Sequence, residues 1–327
     1  MEETHEPVAA TAAIYDQFAR HWFAGHSPLY AAWASRVAAD RELAALVATL
    51  PAAKRQPNLV FAASRFLGCP DQDADTLARF LRDRWSEVAE VVLARRTQTN
   101  EPRRCATLLP ALGLIAAAEE RPLALIEVGP SAGLCLLPDL YAYEYDDGPR
   151  LGTGSPLLRC TTTGNPPLPP ALPRVASRTG VDLNPLDGTD ASTVRWLECL
   201  VWPGQEDRLA TLRAALGRLA SLGPEGPTLL AGDLNDRVAE LVAGVPDTHA
   251  AVVFHSAVLA YLSPADRARF AATVRSLDCR WLSNENFFLD EAGRTVDSVQ
   301  GDRFTLALDS VPLAYTGQHG ATLDWIG

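Results

Sequence analysis

Apolar residues recur every three or four positions through the first third of the chain. The segment from Leu77 to Val92 is the clearest case, because its apolar side chains fall on one face of a helix. Ser27, followed by Pro28, and Asp73 or Asp75 mark helix starts, since Ser and Asp side chains cap free backbone amides and Pro is tolerated in the first turn. The spacing predicts four or five helices between residues 7 and 119.

From Arg121 onward, short apolar runs alternate with segments of helical spacing. This alternation favours parallel strands, because a helical crossover returns the chain to the same edge of the sheet. The final segment, residues 304–326, has strand-like runs without helical spacing and predicts two antiparallel edge strands. The predicted parallel strands are residues 123–128, 179–183, 228–231, 250–254 and 280–283.

These patterns predict an α/β fold: a Rossmann-like, mostly parallel sheet with an N-terminal all-helical cap subdomain. The change in periodicity places the helical cap at residues 1–120 and the Rossmann-like domain at residues 121–327. Residues 144–178 are rich in Gly, Pro and Thr and interrupt the alternation. An insertion of that length predicts a lid over a ligand site.

Composition narrows the classes of function. The chain has 327 residues, 47% of them hydrophobic, and a formal net charge of -11. An acidic chain lacks the clustered positive charge that nucleic acids and anionic lipids attract. Six cysteines stand singly without a Cys-x-x-Cys pair, which predicts buried free thiols and no metal site. We therefore expect a cytoplasmic protein that acts on a small molecule, without nucleic-acid or membrane partners.

Polar residues lie at or just beyond the ends of four consecutive predicted strands, at Glu127, Asp182, Asp233 and His255. Ligands of open α/β sheets bind beyond the carboxyl ends of the strands, so this series predicts a ligand site. The first strand runs into the turn Gly129–Gly133, whose glycines allow a ligand to approach the backbone closely. Each polar residue taken alone could equally cap a helix or end a turn.

The same turn has the spacing Gly-x-Ser-x-Gly, which is also that of the nucleophile elbow of α/β-hydrolases. Ser131 would be the nucleophile, and Glu285 and His319 follow it in the order acid, then His. The elbow normally follows several strands, whereas the preceding 120 residues read as helical. A serine hydrolase therefore remains the alternative.

The strand ends together resemble the successive motifs of class I S-adenosylmethionine-dependent methyltransferases. The segments that carry the resemblance are LALIEVGPSAG, GVDLNP, LLAGD, AVVFHSAVLAYL and WLSNEN. The resemblance implies that Asp182 binds the ribose hydroxyls and Asp233 the adenine amine, and that His255 lies beside the reactive methyl group. It also implies cofactor contacts from the first motif, namely Glu127, Gly129, Gly133 and Ser131, the last of which replaces the middle glycine.

The chain as a whole is identified as a member of an uncharacterised bacterial family, domain of unknown function 2332. Among the segments that carry this resemblance are RTQTNEPRRCATLLPAL, IEVGPSAGLCLLPDLYAYEY and HGATLDWI. The family implies no activity, but it does imply that the helical and α/β parts belong to one unit.

Three further residues are candidates for binding the substrate: Asn100, Arg104 and Tyr143. Asn100 and Arg104 stand in a polar cluster before a predicted helix, where Asn100 could instead be the N-cap. Tyr143 alternates with Tyr141 and Tyr145, so the three side chains share one face of a strand, either in the core or as a substrate wall.

The resulting hypothesis is methyl transfer from S-adenosylmethionine to a small molecule. His255 is the candidate general base, because histidine exchanges protons near neutral pH. Glu285 and His319 would orient the substrate, while the helical cap and residues 144–178 would close over it. A Rossmann-like module that binds a ligand without catalysis is a third possibility.

Overall fold

The computed structural model describes residues 5–146, 148–290, 292–297 and 303–327. These residues form two compact units. One consists of the residues up to 99 together with 190–210, and the other of residues 100–189 and 211–327. The ten helices of the described chain are α1 (His5–Gln17), α2 (Pro28–Ala39), α3 (Arg41–Ala48), α4 (Pro57–Phe66), α5 (Ala74–Ala94), α6 (Arg104–Glu119), α7 (Ala191–Leu200), α8 (Glu206–Leu222), α9 (Leu234–Ala243) and α10 (Pro264–Arg275).

The helical unit contains α1 to α5 and α7. Two of its helices, α2 and α5, begin where the sequence predicts, since Ser27 accepts a hydrogen bond from the Tyr30 amide and Asp73 accepts one from the Thr76 amide. Aromatic rings fill its core, with Phe61 packed edge-on against Tyr30 at a centroid distance of 5.0 Å. Burial of these rings stabilises a unit that contains no strand in its described residues.

The other unit is built around one ten-stranded, mostly parallel sheet. Its strand order is β2-β3-β12-β11-β10-β7-β6-β1-β4-β5, and β8 and β9 form a separate hairpin. The strands are β1 (Leu123–Val128), β2 (Ala142–Tyr145), β3 (Leu157–Thr163), β4 (Val175–Asp182), β5 (Thr228–Ala231), β6 (Ala250–Ser256), β7 (Arg280–Glu285), β8 (Phe287–Leu289), β9 (Thr295–Asp297), β10 (Phe304–Leu308), β11 (Val311–Thr316) and β12 (Thr322–Trp325).

The strand order reverses between β1 and β6. Strands β4 and β5 continue the sheet on one side of β1, and β6 and β7 continue it on the other, all in parallel pairs. The five predicted parallel strands are therefore confirmed, and their order is that of a Rossmann-like sheet. The carboxyl ends of β1 and β6 flank the switch point, where ligands bind in such folds.

The two faces of the sheet bury different side chains. On one face, Ile126 and Val128 of β1 and Val253 of β6 belong to a core that includes residues of α9 and α10. Strand residues alternate between faces, so Glu127 and Phe254 lie on the opposite face, with α6. Polar side chains at the strand ends consequently lie on two different faces of the sheet.

The structure corrects two expectations, one about the predicted insertion and one about the C-terminal segment. Residues 157–163 are not part of a lid but form β3, which pairs with β2 and with β12 and extends the sheet to its far edge. The C-terminal segment forms three antiparallel strands rather than two. Asp147, within the predicted insertion, lies outside the described residues.

Contacts divide the chain differently from periodicity. Helix α6 precedes the predicted boundary near residue 121, but its residues group with the sheet. Helix α7 follows that boundary, but its residues group with the helical unit. Periodicity reports local structure only and carries no information about the unit on which a helix packs. None of the helices within the described residues is long and apolar enough to cross a membrane.

Candidate functional site

The turn after β1 depends on left-handed backbone conformations. Gly129 has φ 72°, Ser131 φ 55° and Gly133 φ 77°, a region that favours glycine and strains serine. A side chain at Gly129 would clash with Val258, because an added Cβ would lie 2.5 Å from Val258 Cγ2. Two 3-10 turns, Leu134–Leu136 and Pro138–Leu140, follow in place of a long helix.

Asp182 at the end of β4 fastens this turn to the neighbouring strand. Its Oδ2 accepts a hydrogen bond of 3.0 Å from the Ser131 amide, and its Oδ1 accepts one of 2.8 Å from the Asn184 amide. Asp182 therefore brings negative charge to the switch point and also holds Ser131 in place.

Asn100 clamps both ends of the same turn. Its Nδ2 donates to the Pro130 carbonyl at 3.1 Å, and its Oδ1 accepts from the Leu134 amide at 3.1 Å. The reading of Asn100 as an N-cap is wrong, because α6 starts at Arg104 and Asn100 caps no helix. The bonds of Asn100 instead fix the glycine turn.

Glu127 is a buried carboxyl group beside this turn. It is 4% exposed, and its Oε2 has no hydrogen-bond partner among the residues that the structure describes. Burial raises the pKa of Glu127 well above its usual value; nearby Cys135 and Asp182 raise it further, while Arg104 lowers it. A cationic group bound here would compensate the buried charge.

Arg104 links three parts of the sheet unit. Its Nε donates to the Gln318 carbonyl at 2.9 Å, one of its terminal nitrogens donates to the Ser256 carbonyl at 3.1 Å, and its guanidinium lies over the Phe304 ring. The side chain is buried. Arg104 thus connects the turn after β11 with the carboxyl end of β6.

Asp233 and Tyr143 have other surroundings. Asp233 is the N-cap of α9 and accepts a hydrogen bond from the Asn235 amide at 2.8 Å. Tyr143 has no exposed surface, its hydroxyl donates to the Pro138 carbonyl, and its ring stacks on Tyr145. Tyr143 is therefore a core residue and not a substrate wall.

His255 lies on the α10 face of the sheet in a closed network. Its Nδ1 is 2.7 Å from Glu285 Oε1, and its Nε2 accepts a hydrogen bond of 3.1 Å from the Trp281 indole. Since Nε2 accepts, the proton of the neutral ring is on Nδ1 and is donated to Glu285. His255 has no exposed surface. Its role as general base stays a prediction, and this geometry favours a positioning role.

Glu285 extends the network into the loop after β6. Its Oε1 also accepts hydrogen bonds from the amides of Val258, at 2.8 Å, and Leu259, at 3.1 Å. Its Oε2 is buried and has no partner within the described parts of the chain, so Glu285 forms no hydrogen bond with His319. The Ser131, Glu285 and His319 series is not assembled as a triad.

His319 pairs with a different acid. Its Nδ1 is 3.7 Å from Oε2 of Glu101, whose Oε1 accepts a hydrogen bond from the Arg103 amide at 3.3 Å. Glu101 is buried, whereas the His319 side chain is 41% exposed. Sequence analysis noted Glu101 only as part of a polar cluster, because no spacing rule connects it to a residue 218 positions away.

Asn284 is a further buried polar residue that sequence analysis did not assign to the site. Its Nδ2 donates to Ser256 Oγ at 3.0 Å, and its Oδ1 accepts from Thr316 Oγ1 at 2.8 Å. It lies directly before Glu285 but on the other face of the sheet. The only signal in the sequence was the polar pair that ends the predicted fifth strand.

The described residues offer no group of three or more His, Cys, Asp or Glu side chains that could hold a metal ion. All six cysteines are free thiols; five are buried, whereas Cys279 is partly exposed. The site therefore consists of the glycine turn, the acids Glu127 and Asp182, the clamp Asn100, and Arg104 with the turn that carries His319.

A comparison with protein families finds one match for almost the whole chain. The family described as "Uncharacterized protein conserved in bacteria (DUF2332)" matches residues 12–325. No curated protein and no solved structure matches the chain.

Proposed function

Since the chain belongs to the DUF2332 family, whose description names no activity, we propose its function from the site itself: binding of S-adenosylmethionine and transfer of its methyl group to a small molecule. The observation that carries the proposal is the position of Glu127 and Asp182. Both are acidic groups at the switch point of a Rossmann-like sheet, beside a turn of left-handed glycines.

The residues present fit a cationic, ribose-bearing ligand. S-Adenosylmethionine carries a sulfonium and an ammonium group, and Glu127 offers a buried carboxyl oxygen without a partner in the described chain. The Asp182 carboxylate, which accepts the amides of Ser131 and Asn184, is the candidate for the ribose hydroxyls. Asp233, at the end of the next strand, is the candidate for the adenine amine.

The bound cofactor would supply an electrophilic methyl group, so the protein's own task is to position and desolvate rather than to make a nucleophile. Asn100 and Asp182 hold the turn rigid, which limits the ordering that binding requires. Arg104 fixes the end of β6 against the turn after β11. Glu285 and His255 fix the loop that places Val258 over Gly129.

Isothermal titration with S-adenosylmethionine tests the proposal. We expect a binding heat for the wild-type protein and a strong loss of affinity in Asp182→Ala and in Glu127→Gln. Asp73→Ala is the matched control, because Asp73 also accepts a backbone amide bond but lies in the helical unit. No heat at high protein concentration, or an Asp182→Ala variant that binds like wild type, would contradict the proposal.

The hydrolase alternative has one observation in its favour, the left-handed conformation of Ser131. A fluorophosphonate probe separates the two functions. Labelling of the wild-type protein that disappears in Ser131→Ala would favour a hydrolase. Under our proposal, both proteins stay unlabelled and both bind S-adenosylmethionine.

A further inference from the structure

We infer that Glu101 and His319 form the proton-accepting couple of the transfer reaction, with His319 as the catalytic base and Glu101 as its positioning residue. The inference rests on the proposed function and deepens it. It implies an acceptor whose nucleophilic atom carries both an electron pair and a proton, such as a hydroxyl, a neutral amine or a carboxyl group.

The first argument is location. His319 lies in the turn between β11 and β12, which is pressed against the start of α6, since an added Cβ at Gly320 would lie 2.3 Å from the Arg103 carbonyl oxygen. The Arg104 guanidinium binds Gln318 of this turn and Ser256 at the end of β6. The turn is therefore tied to the strand that borders the switch point.

His319 is accessible, whereas His255 is not. His255 lies at the carboxyl end of β6, and His319 lies in the turn after β11. His255 is fully buried with both ring nitrogens engaged, whereas the His319 side chain is 41% exposed. The Nδ1 atom of His319 is itself buried, so the exposed part of the ring lies elsewhere. A base must reach the proton that it removes, and only His319 of this pair presents surface to a substrate.

The third argument is the orientation of the ring. The Glu101 carboxylate is buried 3.7 Å from Nδ1, and the Arg103 amide holds its other oxygen. A carboxylate beside Nδ1 favours the tautomer with the proton on that atom, and Nε2 is then the basic nitrogen. Catalytic hydrogen bonds are often long before substrate binds, so this separation fits such a couple.

The step balances without a further reactant. An electron pair of the acceptor forms the new bond to the methyl carbon, and the carbon–sulfur bond breaks with its electron pair left on sulfur. The proton of the acceptor moves to Nε2 of His319, while the Nδ1 proton stays beside Glu101. The resulting imidazolium is stabilised by the Glu101 carboxylate, as in other His–acid couples.

The test uses the full-length protein and S-adenosylmethionine as the probe. Reaction with diethyl pyrocarbonate, read by peptide mass spectrometry, measures the accessibility of each histidine. We expect saturating S-adenosylmethionine to slow modification of His319 several-fold and to leave that of His26, an exposed histidine of the helical unit, unchanged. Nitrogen NMR of labelled histidine is expected to show the Nδ1–H tautomer for neutral His319.

Variants of His319 and Glu101 distinguish the proposed roles of these residues from a purely structural role. His319→Gln is expected to bind S-adenosylmethionine with unchanged affinity, since His319 serves the acceptor and not the cofactor. Glu101→Gln is expected to shift the neutral His319 ring toward the Nε2–H tautomer, and Glu101→Asp to restore the Nδ1–H form, a response that a purely structural role would not produce.

Failure of this inference and failure of the proposed function give different experimental results. Binding heat without protection of His319, or an Nε2–H tautomer in the wild-type protein, overturns this inference and leaves the proposed function standing. Absence of binding heat overturns the proposed function and this role with it. Protection of His319 together with the charge-dependent tautomer supports both.

Discussion

His255 Nδ1 lies 2.7 Å from Glu285 Oε1, and neither side chain is exposed to solvent. The same carboxylate oxygen holds the amides of Val258 and Leu259. The pair therefore connects the end of β6 and the end of β7 with the loop that covers Gly129. When only the sequence is known, His255 at a strand end suggests a general base. In the structure, His255 contacts Glu285, which holds the loop that contains Val258.

This relationship predicts a large loss of stability in Glu285→Ala. The substitution leaves one imidazole N–H and two backbone N–H groups without their acceptor in a buried place, which costs about 3–5 kcal/mol of unfolding free energy. Urea unfolding followed by tryptophan fluorescence measures it. Glu225→Ala, at an exposed position, is the control and is expected to change stability by less than about 0.5 kcal/mol. Equal effects of the two substitutions would show that the network contributes nothing.

Asn100→Ala should loosen the glycine turn. The Pro130 carbonyl and the Leu134 amide both lose a buried partner, which lowers the free energy of unfolding by about 1–3 kcal/mol. Asn100→Asp keeps the acceptor for Leu134 but not the donor to Pro130, so its effect on cofactor affinity should lie between wild type and Ala. Asn58→Ala is the control, because the Asn58 Oδ1 has no partner among the described residues. If Asn100→Ala binds S-adenosylmethionine as tightly as wild type, the clamp has no role in the site.

Gly129→Ala combines two separate penalties. A left-handed φ costs a non-glycine residue about 1–2 kcal/mol, and the new methyl group would also meet Val258. Gly204→Ala isolates the first penalty, since Gly204 has φ 90° with open space around its Cα. Gly129→Ala should therefore destabilise more than Gly204→Ala, and the double variant Gly129→Ala/Val258→Ala should recover the difference. A double-mutant cycle without coupling would mean that Val258 does not restrict the turn.

Glu127 predicts a distinct dependence of stability on pH. Its pKa is raised in the folded protein, so above about pH 4.3, the ordinary value for Glu, the folded state binds more protons than the unfolded state. The free energy of unfolding must therefore fall as pH rises from about 4.3 to the raised pKa of Glu127, by up to about 1.4 kcal/mol per pH unit. Glu127→Gln lacks this titrating group, so its free energy of unfolding should increase relative to that of wild type as pH rises above about 4.3. Urea unfolding at several pH values checks it, and parallel curves for the two proteins would contradict it.

The same group links proton release to ligand binding. A cationic ligand favours the charged form of Glu127 and so lowers its raised pKa, which means that binding should be accompanied by proton release at a pH between the two pKa values. Titrations of S-adenosylmethionine in buffers of different ionisation enthalpy measure this release. Wild-type protein should show it and Glu127→Gln should not. Equal proton release from both proteins would assign it to another group.

Much of the sheet follows from the sequence because buried parallel strands have a strong local signature. Strands β1 and β5 have the predicted limits, and β4, β6 and β7 differ from prediction only at their ends. A strand covered on both faces reads as a short apolar run, and the turn residues after it mark where it stops. The helix starts at Ser27 and Asp73 are equally local, since each depends on one side chain and an amide three residues later.

The sequence by itself thus determined the fold class, the positions of the central strands along the chain, and the acids and glycines at their carboxyl ends. Only the tertiary structure decided which polar groups meet. Pairing of Glu101 with His319, of His255 with Glu285, and of Asn100 with both ends of the glycine turn joins residues 30 to 218 positions apart. Strand β3, which lies beside the edge strand β2, was missed for the same reason, because it is held by pairing with β12, which lies far along the chain. Local patterns record which face a residue prefers, whereas hydrogen-bond partners depend on packing across the sheet.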